Sequence, residues 1–509
     1  MKFKGPLAER YWAAVLLVVF ALIPYLALSS SLAPLMKIIG AGVHLSQQAL
    51  SLTNGMANAA YALGTVLAVQ IAVHYPQRRA LLVYVSTFVL GSVLAATALT
   101  PGLFVAGHVL QGLTTSMMLI AAVPPLVLNF PYTKLPITGA IMNMGIFGAV
   151  AAGPVIGGVQ AGSGAWRPLF WIVAGVGGLA LVMSLLTYED VPAQEPQAPR
   201  DWLGIFLAGS GCGAAFFGAS QLTTHRFLDL IAFGPLVLGA CLLFCLVLQQ
   251  YLAKNPLMPV RKLTTTIPVA MIVVAISAGA AGVALIELIE VAFMHRGSPG
   301  HVAMLFWPEL GGAVFTAFLF GRILYTRFPP LFALSGMAMI AGAAAILSGV
   351  AGGPEVLVIV GSGILGLGLG SSVAPSLFAT GFSLRAFDLQ RVFALLELLR
   401  GTAAFMVGPI ILHLAMTTGS SMAGGIQNGV WVCFAIAAAG GLLSIYILVL
   451  GRPPLTRPRL AEWEKGLITA WHSPPLFDVL RNGEPESAAE ALAAWEAEAA
   501  RTAATVHND

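Results

Sequence analysis

The chain has 509 residues, a net charge of +4, 58% hydrophobic residues and only 9% charged ones. Soluble proteins carry roughly 25% charged residues, so an ordinary globular domain is excluded, and so weak a positive balance gives no footing for nucleic acid. The apolar residues recur in runs of about 20, the length a helix needs to cross a ~30 Å hydrocarbon layer. The chain therefore reads as an all-α polytopic membrane protein embedded in a lipid bilayer.

It begins MKFKGPLAER, followed by an apolar run from Tyr11 to Ala33. That run is too long for the core of a signal peptide, and further spans follow at once, so it is expected to stay as the first helix. Thirteen more spans are expected at 49–73, 80–99, 103–128, 137–160, 168–187, 202–220, 229–252, 267–293, 301–321, 330–350, 355–379, 392–416 and 426–450. The charged, Pro-rich stretch YEDVPAQEPQAPRD (188–201) separates the first six from the rest. The organisation expected is a six-helix bundle (1–187), a cytoplasmic linker (188–201), two inserted helices (202–252), a second six-helix bundle (253–450) and a polar cytoplasmic tail (451–509). Within the tail, ESAAEALAAWEAEAA reads as a solvated Ala/Glu helix.

Basic residues test the count, because cytoplasmic loops carry the excess of Lys and Arg. With the N-terminus inside, 17 fall on the inner face and only Lys37, Arg167, Arg226 and Arg296 on the outer one, leaving aside Arg400 and three in the distal tail. Both termini are thus expected in the cytoplasm, with the chain in the cell (inner) membrane. The fifth and thirteenth spans each carry Gly-Pro at a similar depth: Gly145 then Gly153-Pro154, and Gly401 then Gly408-Pro409. Paired interruptions of this kind are how internal repeats of secondary transporters show in sequence.

The four cysteines lie inside apolar runs without metal-ligand spacing and read as small core residues. No metal or cofactor set is found, and no GxxxxGK[ST], HExxH or GxSxG occurs. The glycines of GLGLGSS (366–372) sit inside a span and read as helix packing.

Several motifs carry a resemblance. AVAAGPVIGG (149–158) and AWRPLF (165–170) are joined by VLQGL (109–113), PPLVLNFP (124–131), DWLG (201–204), NPLMPVRKL (255–263), RGSPGHVAMLFWP (296–308) and ELLRG (397–401). Together they resemble the major facilitator superfamily, and within it the fourteen-span drug:proton antiporters of the EmrB/QacA type, over about residues 1–450. The resemblance implies two six-helix bundles plus two inserted helices, no enzymatic activity, and alternating access. It implies export of small organic compounds against protons, with Gly153, Pro154, Gly157, Gly158, Arg78 and Arg79 as the conformational motif. A monomer fits this class, with room for a periplasmic adaptor. There are departures. QIAVHYPQRR (70–79) keeps only Arg78 and Arg79 of the loop motif, with His74 where the family has Asp. His108 stands in place of the fourth helix's arginine, and residues 21–35 hold no acid. These departures favour the alternative, a proton-independent facilitator or importer of a specific solute.

The charges inside spans are the remaining candidates, since each costs at least ~2.5 kcal/mol at mid-membrane. Glu287 and Glu290 are three apart, share a helix face, and sit on the order of 30 Å along their span. They read as an outer vestibule or as a solvated pair at the mouth. Glu309 follows Trp307-Pro308 roughly 12 Å into its span and is the leading proton-coupling candidate, against a structural hydrogen bond. Glu397 and Arg400 have the spacing of an intrahelical ion pair, either structural or switchable. His108 is a titratable group or a hydrogen-bonded core residue. Four acids against one Arg favour protons and a cationic or neutral amphiphile as small-molecule substrate.

Overall fold

A computed structural model describes residues 5–188, 193, 195–294, 298–350, 353–477, 493 and 497. Among the described residues, fourteen helices are long and apolar enough to cross a membrane. They are α1 (Tyr11–Val43), α2 (Gln47–His74), α3 (Gln77–Ala96), α4 (Pro101–Leu128), α5 (Tyr132–Gly162), α6 (Arg167–Thr187) and α7 (Trp202–Gln221). The others are α8 (Leu230–Leu252), α9 (Thr266–Phe293), α10 (Pro299–Ile323), α11 (Pro329–Leu347), α12 (Val356–Phe382), α13 (Ala386–Thr418) and α14 (Met422–Gly451). All fourteen expected spans are found, with shifted ends. α1 departs most: it runs through Pro34 and Lys37 to Val43, where His44 turns left-handed (φ 57°) and its N–H closes on the Gly40 carbonyl. A proline and one lysine suggest a stop at Ala33, yet a long apolar helix absorbs both.

Several helices start where a side chain takes up an orphan N–H group. Ser46 accepts from Ala49, Asp201 from Gly204, and Ser421 from Gly424. Within α10 the helix breaks at Phe306, just before Trp307-Pro308, and restarts at Trp307. α5 contains one π-helical turn at Met144–Gly148.

The fold is all-α among the described residues. α1–α6 form one bundle and α9–α14 the other. The two halves meet along two seams, α5 against α10 and α2 against α13. α7 and α8 form a hairpin, and α7 lies on the α2/α13 seam. Fourteen crossings return the chain to the face where it started. We call this the basic face, and the opposite one the far face.

The polar tail expected at 451–509 is different in its first half. Residues 452–477 fold back across the basic end of the second bundle, and α15 (Leu460–Glu464) forms there. Trp463 and Trp471 are fully buried, their rings 4.8 and 5.9 Å from Phe382. Ala470 N–H donates to the Phe382 carbonyl (2.8 Å), and Trp463 Nε1 donates to Leu384 (2.8 Å). The tail thus satisfies carbonyls that the end of α12 would leave open. Thr265 and Pro475 form an antiparallel bridge. The expected Ala/Glu helix lies outside the described residues except for Ala493 and Ala497.

Candidate functional site

Three groupings of polar side chains buried in the spans hold the charged candidates and His108. The first lies on the α2/α13 seam. Arg400 donates Nε to Glu397 Oε2 (3.0 Å) and a second nitrogen to Oε1, so the expected pair closes as a two-pronged salt bridge. Tyr61 of α2 donates its hydroxyl to Glu397 Oε1 (2.7 Å), which ties one half of the protein to the other. The Arg400 guanidinium also stands 6.0 Å from the Phe147 ring, inside the π turn of α5. Sequence reasoning missed Tyr61; a phenol in the apolar span 2 was the only signal.

The second cluster belongs to the C-terminal half. Glu309 is fully buried in the first turn after the α10 break, and neither carboxyl oxygen has a hydrogen-bond partner among the described residues. Glu290 of α9 lies within electrostatic reach of Glu309 and of Glu287. Glu290 is 6% exposed and Glu287 is half-buried. α9 continues past both, so the pair stands inside the packed bundle instead of projecting from an open rim. The Glu287 carboxyl packs on Gly408 of α13. GLGLGSS serves the packing read from its sequence: Gly366 lies against the Glu309 backbone and Gly368 against Ile340.

His108 sits in the N-terminal half, 1% exposed. Its Nδ1 lies 3.1 Å from Gln111 Oε1, while Gln111 Nε2 donates to Ser92 (2.9 Å). With the amide nitrogen so engaged, Oε1 must accept, so Nδ1 carries the proton and neutral Nε2 is a bare acceptor. Nε2 is buried without a partner among the described residues. His108 borders a cavity of about 10 Å³ with Leu32, Met36, Asn54 and Phe104 near the far face, about one water's room.

The conformational motif is placed for close packing. Gly153 lies on Ser30 and Gly157 on the Ser31 carbonyl and Pro34, both on α1, while Gly158 lies on Pro299 and Ala303 of α10 in the other half. Pro154 is accommodated inside the helix. Arg78 is half-buried and Arg79 exposed at the start of α3. His74, in the family's Asp position, bonds through Nε2 to the Ala198 carbonyl of the linker (2.8 Å). Asn143 of α5 donates to the Gly370 carbonyl of α12 (2.8 Å), a further tie between halves that the sequence did not announce. Among the described residues, no group of three His, Cys, Asp or Glu is placed to hold a metal.

A profile of the Major Facilitator Superfamily matches residues 18–409. The chain is 28% identical over 340 residues to the uncharacterized MFS-type transporter YubD of Bacillus subtilis, covering 63% of this chain and 64% of that one. It is 26% identical over 307 residues to the multidrug resistance protein B homolog of Mycobacterium tuberculosis, 58% of this chain and 56% of the relative. The chain thus spans less than two thirds of the length of these relatives. Among solved structures, the human organic anion transporter MFSD10 (TETRAN) superposes with a TM-score of 0.59 at 12% identity, covering 86% of this chain and 99% of that chain. That likeness speaks to the fold alone.

Proposed function

The chain belongs to the Major Facilitator Superfamily, and from that premise we propose that it is a proton-coupled exporter of small organic compounds in the cell membrane. Its relatives include multidrug-resistance transporters. Cationic or neutral amphiphiles are the favoured substrates, because among the described residues the spans hold four acids, Glu287, Glu290, Glu309 and Glu397, against one buried arginine, Arg400. In this reading the basic face is cytoplasmic, and the halves rock about the α5/α10 and α2/α13 seams.

Glu309 carries the proposal. A carboxylate buried with no hydrogen bond and no counter-ion costs several kcal/mol more than the neutral acid. Gaining and losing a hydrogen ion there changes the relative cost of packed and open states, which is what coupling requires. Glu290 offers a second acid within reach. Glu397, held by Arg400 and Tyr61, sits where the two halves must part, so its charge bears on their separation.

A facilitator is the second reading, favoured by the absence of any acid in α1 and by His74 in place of the loop Asp. Proteoliposome flux separates the two. Transport of a lipophilic cation that collapses when the pH gradient is removed, and that Glu309→Gln uncouples, supports the exporter. Gradient-independent flux in the wild type supports the facilitator, and transport of organic anions with no cations overturns the substrate class.

A further inference from the structure

One face of α2 presents Asn54, Asn58 and Tyr61, at i, i+4 and i+7. Among the described residues, the Oδ1 atoms of Asn54 and Asn58 and His108 Nε2 of α4 are buried without a partner, and the buried Tyr25 hydroxyl of α1 lies beside Ser29. These atoms are not scattered. Asn54 and His108 share the far-face cavity. The Tyr25 ring lies 5.8 Å from the His108 ring and 6.3 Å, nearly parallel, from the Tyr61 ring. Gly112 of α4 leaves the room: a β-carbon there would stand 2.8 Å from the Tyr25 hydroxyl. Tyr61 then ends the series on Glu397.

Buried polar atoms without partners demand an explanation, and the ordinary one is water. We propose that Asn54, His108, Tyr25, Asn58 and Tyr61 line a hydrated proton path from the far-face cavity to Glu397. The proposal rests on the proton-coupled reading and assigns it a route. His108 Nε2 takes a hydrogen ion from water in the cavity and passes it to water beside Tyr25 and Asn58. The Tyr61 O–H bond breaks as its proton moves to Glu397 Oε1, and the phenol regains one from the water behind it. Glu397 becomes a neutral acid, and Arg400 loses its counter-charge at the seam. The groups facing His108 are Tyr25, Asn54, Phe104 and Gln111, none charged; those facing Glu397 are Tyr61 and Arg400.

The test uses the full chain in nanodiscs, labelled by X-ray-generated hydroxyl radicals, which mark side chains next to bound water. Tyr25 and Tyr61 are expected to label at least tenfold faster than Phe170, an equally buried ring outside the path; labelling at the Phe170 rate overturns the path. Asn58→Leu, which replaces an unpartnered amide by an apolar group of similar size, is expected to cut Tyr61 labelling at least fivefold. In proteoliposomes the probe is tetraphenylphosphonium. Asn58→Leu and Tyr61→Phe should lower pH-gradient-driven flux far more than gradient-free exchange. A coupled wild type whose two variants keep the wild-type ratio overturns the path alone. A wild type with no gradient-driven flux overturns the exporter reading, and the labelling then decides the path.

Discussion

Gly408 of α13 faces the Glu287 carboxyl of α9 so closely that a β-carbon would stand 2.9 Å from its carboxyl carbon. Gly153 of α5 meets Ser30 of α1 in the corresponding place of the other half. The Gly-Pro pairs of the two halves thus do the same packing work, letting the fifth helix of each bundle close on its first, and the C-terminal half seats an acid there.

Gly408→Ala should therefore fold, because the end of a flexible side chain can swing away, and cost less than about 1 kcal/mol. Gly157→Ala pushes on the fixed Ser31 backbone and should cost ~1–3 kcal/mol as overpacking does. Thermal melts of both in one detergent give the comparison. Transport by Gly408→Ala should still fall severalfold, since Glu287 is displaced.

The Glu397–Arg400 pair is buried, and breaking it strands a charge. Glu397→Gln alone should cost ~3–5 kcal/mol. Pairing it with Arg400→Gln should recover much of that loss, because the orphaned guanidinium is gone. A double-mutant cycle on melting temperatures checks this; additive losses would mean that the bridge is absent in the membrane.

The Glu309 carboxyl has no hydrogen bond to lose among the described residues. Glu309→Met, apolar and of similar volume, is expected to leave stability unchanged or raise it by about 1 kcal/mol, while flux drops at least tenfold. Loss of both stability and flux would assign Glu309 a structural role.

On the basic face, Tyr325 donates to the Tyr132 carbonyl (2.8 Å), whose own N–H bonds Glu464 of the tail (3.0 Å). Burial, and then the neighbouring Tyr132, push the Tyr325 phenol above its ordinary 10.0. A folded value above the unfolded one means the bond contributes fully below about pH 10 and is lost as pH climbs through the folded value. Tyr325→Phe should cost roughly 0.5–1 kcal/mol at pH 7, low because the side chain is part-exposed. The gap between wild type and variant should close above about pH 10.

Trp463 fills the space between the tail and the end of α12. Trp463→Ala should cost ~3–5 kcal/mol. Combined with Phe382→Ala the loss should be less than the sum, because the two rings share one contact. A melting temperature that ignores Trp463 would detach the tail from the bundle.

The helices were legible because burial in lipid imposes one demand on every span, an apolar run of fixed length, and α2 through α14 obey it within a few residues. The tail was not legible, because 452–477 is polar on average and the backbone bonds and scattered buried side chains that hold it, Trp463 and Trp471 foremost, have no periodic pattern. The Glu397–Arg400 bridge could be read from spacing along one helix. Tyr61 could not, since 336 residues of chain separate it from Glu397.

Sequence by itself determined the number of crossings, the repeat marked by the two Gly-Pro pairs, and which charges enter the membrane, all properties of single helices. Tertiary structure alone decided which of those charges meet. A helix turned by one residue swings a side chain through ~100°, and nothing local fixes that rotation. Only packing across the seams set Tyr61 on Glu397, left the Glu309 carboxyl without a partner among the described residues, and lined up the unpaired polar atoms of α2 and α4.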